Sequence, residues 1–207
     1  LKKITIESKR ITCWVFLLIA TLGIFSGCAT NKQESYPDQD VGISAYQTPY
    51  NRKDWPHWID ADSDCQNTRQ EMLIANSRIP VQFKDSKHCT VIYGEWIGVY
   101  TGRVFTKASD VDIDHVVPLA HAHRHGAGRW GREQRREFAN DFENLIVVAD
   151  SVNKSKSDKA PHEWLPPLKS YWCEYGKRWE RIKDKYRLWH SSQERAVLNQ
   201  LAETCFE

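Results

Sequence analysis

The sequence predicts an α+β domain with a small sheet and two disulfides, preceded by an export segment. Three observations carry this. Short β-branched runs, "HCTVIYGEWIGVYTG", "DIDHVVPL" and "NLIVVA", are set between stretches with helical patterning. Four cysteines, Cys65, Cys89, Cys173 and Cys205, remain once the N-terminal segment is set aside, an even number in an exported chain. Nine tryptophans in 207 residues supply the bulk for one good core. The formal net charge of +2 leaves global charge silent about nucleic acid, so any basic surface must be local.

The N-terminus supplies Lys2, Lys3, Lys9 and Arg10, and then runs apolar from Ile11 to Gly27. A positive region followed by a short apolar one reads as a secretory signal over residues 1–27. The run is short for a spanning helix, which needs roughly 20 apolar residues. Its end, "FSGC", resembles the bacterial lipobox, with Phe25 where leucine is usual. The resemblance implies lipidation at Cys28, attachment to a membrane through that lipid, and a place in the bacterial cell envelope, at the outer membrane or cell surface. An uncleaved membrane anchor is the rival reading. Residues 28–54 are polar, with Pro37 and Pro49, and read as a flexible tether to a domain over 55–207.

Within the domain, "DADSDCQNTRQEMLIAN" reads as a helix capped by an Asp or Ser at 62–64. "HCTVIYGEWIGVYTG" reads as strand, Gly94 turn, strand, and "DIDHVVPL" as a strand closed by Pro118. Residues 120–140 are expected to be helical in two pieces, broken at the "GAG" of 126–128. "NLIVVA", 144–149, is a buried strand, and 150–160 begins as a turn or short helix. After Pro166 and Pro167 comes a long helix, then a last one with Ser192 and Glu194 near its start. Trp164 is expected to dock on the core. Four cysteines allow three connectivities; Cys65–Cys89 and Cys173–Cys205 are favoured because each closes a short local loop. A four-thiolate zinc site is the rival, and it lacks any CxxC pair.

The chemistry-bearing feature is "DVDIDHVVPL", which sets Asp110, Asp112, Asp114 and His115 in a β-branched run. "NL" follows about thirty residues on, and "NxxK" soon after. This ordered set resembles the HNH nucleases. The stretch "IDHVVPLAHA…RREFANDFENLIVV…NKSKSDKAPHEWLPP" is similar to a group of small exported HNH-type proteins. So is the upstream set Cys65, Thr68, Arg69, Cys89, Val91, Gly94, Trp96, Tyr100, Thr101 and Gly102. The resemblance covers roughly residues 60–207. It implies a ββα-metal core and a metal-dependent endonuclease that hydrolyses phosphodiester bonds in DNA, with RNA also open and no evident sequence readout.

Carried over residue by residue, the resemblance makes His115 the general base, Asp114 and Asn153 the metal ligands, and Asn144 the group that fixes the base through the backbone around it. The chemistry agrees. A neutral imidazole accepts a proton from water near pH 7. A carboxylate and an amide oxygen are hard donors suited to Mg²⁺ or Mn²⁺, with Zn²⁺ also compatible. Adjacent strand residues point to opposite faces, so Asp114 and His115 can share a site only where the strand ends or twists.

Asp112 shares a face with Asp114 and is a candidate for metal or phosphate; a solvated carboxylate is the equal alternative. Lys154, Lys156 and Lys159 follow Asn153, and Lys156, the "NxxK" lysine, is the candidate phosphate ligand. Arg135 and Arg136 are candidate contacts to a duplex backbone. The cations of the long helix, Lys177 to Arg187, read as a solvated face, with Trp179, Tyr186 and Trp189 turned to the core. His121, His123 and His125 would share a face on a strand and bind zinc; on the expected helix they read as a polar face, with 121 and 125 able to pair on a metal. The alternative to a nuclease is a catalytically silent envelope module that binds nucleic acid or cell wall. Nothing in the sequence points to an oligomer.

Overall fold

The computed structural model describes residues 48–206; the export segment, Cys28 and most of the tether lie outside them. The described strands are β1 (Gln82–Phe83), β2 (Val91–Gly98), β3 (Arg103–Lys107), β4 (Val111–His115) and β5 (Leu145–Ala149). The α-helices are α1 (Thr68–Ala75), α2 (Leu119–Arg124), α3 (Arg132–Ala139), α4 (Asp150–Lys156), α5 (Trp172–Lys185) and α6 (Ser192–Glu203). β1, β2 and β3 form one antiparallel sheet, and β4 pairs antiparallel with β5 in another, so the class is α+β. None of these helices is long and apolar enough to cross a membrane.

β5 is buried along its whole length, which explains its unbroken apolar sequence. Its two faces serve two cores. Leu145 and Val147 join Val111 and Ile113 of β4 against Met72, Leu73 and Trp96. Ile146 and Val148 join Val116, Val117 and Tyr100 against Phe138, Tyr175, Trp179 and Leu198 of the helices. The helix α1 is pinned to the first core by polar bonds as well. Trp96 Nε1 donates to the Leu73 carbonyl, and Arg69 donates to the carbonyls of Ala108 and Val111 beside β4.

Several elements depart from the sequence reading. The cap of α1 is Asn67, whose side chain accepts from the Gln70 N–H, not a residue at 62–64. Gly94 is no turn: β2 runs through it, and a Cβ there would meet the Trp96 ring at 2.6 Å, so the glycine makes room for that indole. The hairpin bends instead at 99–102, where Gly102 takes φ 70, and β3 follows. β3 is exposed along most of its length, so it carries no apolar alternation to read. The last helix is capped by Ser191, with Glu194 completing a capping box. His121 and His123 do not form a polar face; both are buried. Lys183 of α5 is also buried, contrary to a wholly solvated basic face. Trp164 packs on the larger core as expected. The first residues, read as tether, pack as well: Tyr50 lies against the rings of Trp55 and His123, and His123 Nε2 donates to the Thr48 carbonyl at 2.6 Å.

The disulfides are Cys65–Cys89 and Cys173–Cys205, spanning 24 and 32 residues. Cross-links of that span restrict the unfolded chain by about 3–4 kcal/mol each. Replacing Cys173 and Cys205 together by serine is therefore expected to lower unfolding stability by about 3 kcal/mol, read as a lower urea midpoint with a slope no smaller than that of the wild type.

Candidate active site

The strand β4 ends at His115, and the ladder to β5 pairs Asp112 with Val148, Asp114 with Ile146 and His115 with Leu145. Past that point the backbone is held by Asn144. Its carbonyl accepts from the Val116 N–H, its Oδ1 accepts from the Val117 N–H at 2.9 Å, and its Nδ2 donates to the Val117 carbonyl at 3.1 Å. Asn144 is wholly buried. It touches the segment after the histidine and is absent from the cleft lining, so it is a positioning residue.

Asp114, His115 and Asn153 all line one cleft of about 430 Å³, together with Tyr50, Arg52, Pro118, Arg124, Lys154 and Asp158. His115 Nε2 lies 2.8 Å from the Ala139 carbonyl. A carbonyl only accepts, so Nε2 carries the hydrogen and Nδ1 keeps the lone pair. Ala139 closes α3, where helix carbonyls lack partners within the helix, so the bond satisfies both groups. Trp58 stacks on the imidazole, with centroids 5.6 Å apart and planes at 28°. Burial lowers the His115 pKa to about 3, only partly opposed by the bond to Ala139. The ring is therefore neutral across the physiological range.

Asp114 is buried and receives three contacts: Tyr100 Oη donates to Oδ2 at 2.7 Å, and Lys156 Nζ lies 3.1 Å from Oδ1 and 2.9 Å from Oδ2. Burial pushes the Asp114 carboxyl up and the Lys156 ammonium down, and each is opposed by the other's charge. Lys156 also donates to the His115 carbonyl at 2.9 Å and has no exposed surface. It thus does not meet phosphate, as the sequence reading expected, but braces Asp114 from behind. Asp112 is absent from the cleft lining; its Oδ2 accepts from Asn153 Nδ2 at 3.0 Å, which leaves the Asn153 carbonyl oxygen as an available metal donor.

The two arginines singled out in α3 lie elsewhere. Arg135 is largely buried, donates to the Gly128 carbonyl and rests over the Trp55 ring. Arg136 pairs with Glu133 and lines a separate hollow with Asn140 and Phe142. The cations brought to the cleft are Arg52, Arg124 and Lys154, the last two paired with Asp158 at 2.8 Å and Asp150 at 2.7 Å. Tyr50 and Arg52 went unread because they sit in a polar stretch without pattern.

The donor set suits a hard divalent cation. Each carboxylate oxygen offers two lone pairs, so Asp114 keeps acceptor capacity beyond its three contacts, and Asn153 offers an oriented amide oxygen. Two protein oxygens leave positions for water and a phosphate. A second set of hard donors also went unread. Asp60, Asp62 and Asp64 place carboxylate oxygens within 4.8 Å of one another, and Glu71 is held above its usual range by burial and by these three. The signal was the spacing, positions 1, 3, 5 and 12 of a twelve-residue loop, as in calcium-binding loops. Cys65 has φ 73 where such loops place glycine, and its N–H bonds Asp60 Oδ2. None of the four lines the cleft.

A family model described as "GmrSD restriction endonucleases, C-terminal domain" matches residues 66–201. An "Uncharacterized secreted protein" of Arthroderma benhamiae is 44% identical over 161 residues, 77% of each chain. No solved structure matches.

Two outcomes follow from this geometry. Asn144→Ala strands the buried N–H and carbonyl of Val117 and should cost about 2–4 kcal/mol in chemical denaturation. For His115 the folded value of about 3 lies below the ordinary 6.5 of the unfolded chain. The unfolded chain then takes the proton first, so the group's contribution is whole above pH 6.5 and declines as pH falls toward 3, by up to about 1.4 kcal/mol per pH unit. Urea midpoints measured from pH 7.5 to 4.5 should fall more steeply in the wild type than in His115→Asn.

Proposed function

Because the chain belongs to the GmrSD restriction-endonuclease C-terminal-domain family, of the HNH (ββα-metal) type, we propose that it is a metal-dependent endonuclease cutting phosphodiester bonds in DNA without sequence readout. The observation that carries this is the gathering of Asp114, His115 and Asn153 on one cleft whose other walls bring Arg52 and Arg124. A polyanion needs such cations; the hydrolysis needs a base and hard oxygen donors in the same place.

In this reading Asp114 and the Asn153 oxygen would hold Mg²⁺ or Mn²⁺, which would supply positive charge for the phosphate and the leaving oxygen. His115 takes a proton from the attacking water at Nδ1, the nitrogen left with a lone pair by the Ala139 bond. Its neutrality keeps that lone pair available throughout the working pH range. Asn144 fixes the backbone after the base, Asp112 turns the Asn153 amide, and Lys156 with Tyr100 holds the Asp114 carboxylate in place. Arg52 and Arg124 hold the phosphate. The N-terminal signal and Cys28 are read as export and lipid attachment, and extracellular DNA is then the substrate at hand; the secreted description of the fungal relative supports export.

Purified protein is expected to nick supercoiled plasmid with Mg²⁺ or Mn²⁺ and to stop on addition of EDTA. His115→Ala should lose at least 10²–10⁴-fold in rate while its circular dichroism stays that of the wild type. Wild-type cleavage that EDTA does not affect, or a His115→Ala variant that cleaves normally, refutes the assignment.

A further inference from the structure

Residues 55–59 hold a strained conformation against the proposed base. Trp58 has φ 55, a left-handed backbone that a bulky side chain keeps only where its surroundings over-determine it. The restraint comes largely from one side chain. Asn140 Nδ2 donates to the Pro56 carbonyl at 2.7 Å, and Asn140 Oδ1 accepts from the Ile59 N–H at 3.3 Å. These two bonds grip the chain on either side of Trp58. Nδ2 also donates to the Arg136 carbonyl and Oδ1 also accepts from the Thr68 hydroxyl, so the full capacity of the amide is in use. The Ile59 carbonyl accepts from the Thr68 N–H at 2.8 Å.

The result is the placement of the Trp58 ring. It stacks on His115 with centroids 5.6 Å apart and planes at 28°, the geometry of an offset aromatic pair. His57 meets the same indole edge-on, its own Nδ1 2.8 Å from the Trp55 carbonyl. Trp58 is half-buried, packs on the core around Trp96 and is absent from the cleft lining. Asn140 directly follows Ala139, whose carbonyl accepts from His115 Nε2. The C-terminal end of α3 thus holds the imidazole with one residue and the ring stacked on it with the next.

The two contacts fix different things. The χ2 torsion of a histidine is soft. Nε2 lies closer to the Cβ–Cγ axis than Nδ1 does, and a carbonyl accepts over a broad range of directions. Rotation about χ2 therefore swings Nδ1 further than it strains the bond to Ala139. A planar group against the face of the imidazole resists that rotation directly. We infer that Trp58 is a positioning residue that fixes the plane of His115, and with it the direction of the Nδ1 lone pair, and that Asn140 acts through Trp58. The inference rests on the reading of His115 as the base of a nuclease. An error of about 1 Å in the placement of reacting groups costs about 100-fold in rate, so a base needs its ring plane held as well as its tautomer.

Two variants separate the ring from its bulk. Trp58→Leu keeps an apolar side chain on the core around Trp96 without a planar face, and Trp58→Phe keeps the face. In DNA cleavage with Mg²⁺, Trp58→Leu is expected to lower kcat at least tenfold at a KM within twofold of the wild type. Trp58→Phe should stay within threefold in both. A companion measurement needs no cleavage and uses the ¹⁵N-labelled full chain without metal or DNA. The His115 Nε2–H should exchange with solvent at least tenfold faster in Trp58→Leu than in the wild type or Trp58→Phe, while the backbone amides of β5 keep their wild-type protection. Trp58→Met repeats the comparison if the leucine variant does not fold. Equal kcat in the leucine and phenylalanine variants, a change confined to KM, or equal Nε2–H exchange in all three proteins overturns the inference. A wild type that cuts no DNA refutes the nuclease reading instead, and the exchange rates then decide alone whether Trp58 holds the ring.

Discussion

The arrangement depends first on the buried pair of Asp114 and Lys156. A carboxylate withdrawn from water is costly unless a charge and hydrogen bonds answer it. Here the ammonium of α4 answers from within the protein, and the Tyr100 hydroxyl completes the set. Because Lys156 also holds the His115 carbonyl, one side chain ties α4 to both residues at the end of β4. Tyr100 belongs to the larger core, so the pair is anchored in packing as well as charge. The ββα unit is locked by electrostatics that the solvent does not screen.

Around that lock, the positioning of the proposed base is delegated to groups outside the cleft lining. Ala139 sets the tautomer of His115, and Asn144 sets the backbone beyond it. Asp112 does for the Asn153 amide what Ala139 does for the imidazole. Every one of these contacts crosses between elements distant in sequence. The cleft is therefore as rigid as the packing of α3, β5 and α4 on β4, and β5, buried on both faces, is what joins those packings.

This explains which parts were legible in the sequence. The strands β4 and β5, the broken helical stretch after Pro118 and both disulfides were readable, because each is written in local pattern or spacing. Asp114, His115 and Asn153 were readable as a set because the ordered residue types are distinctive. Lys156 was misjudged because sequence shows its charge but not its burial. His121 and Lys183 were misjudged for the same reason: a helix face is polar or buried according to what packs on it, and α6 is seventy residues from α2. β3 lacked alternation, and Gly94 looked like a turn when the demand on it came from an indole across the strand. Arg52 had no pattern to announce it.

One wall of the cleft is made by Tyr50 and Arg52, close to where the described chain begins, and Thr48 is held there by His123. The residues that line the cleft on that side are thus also the first to feel any pull transmitted along the preceding polypeptide. Tension on the chain ahead of Thr48 would therefore load the His123 bond and this lip of the cleft before it reached the paired strands behind.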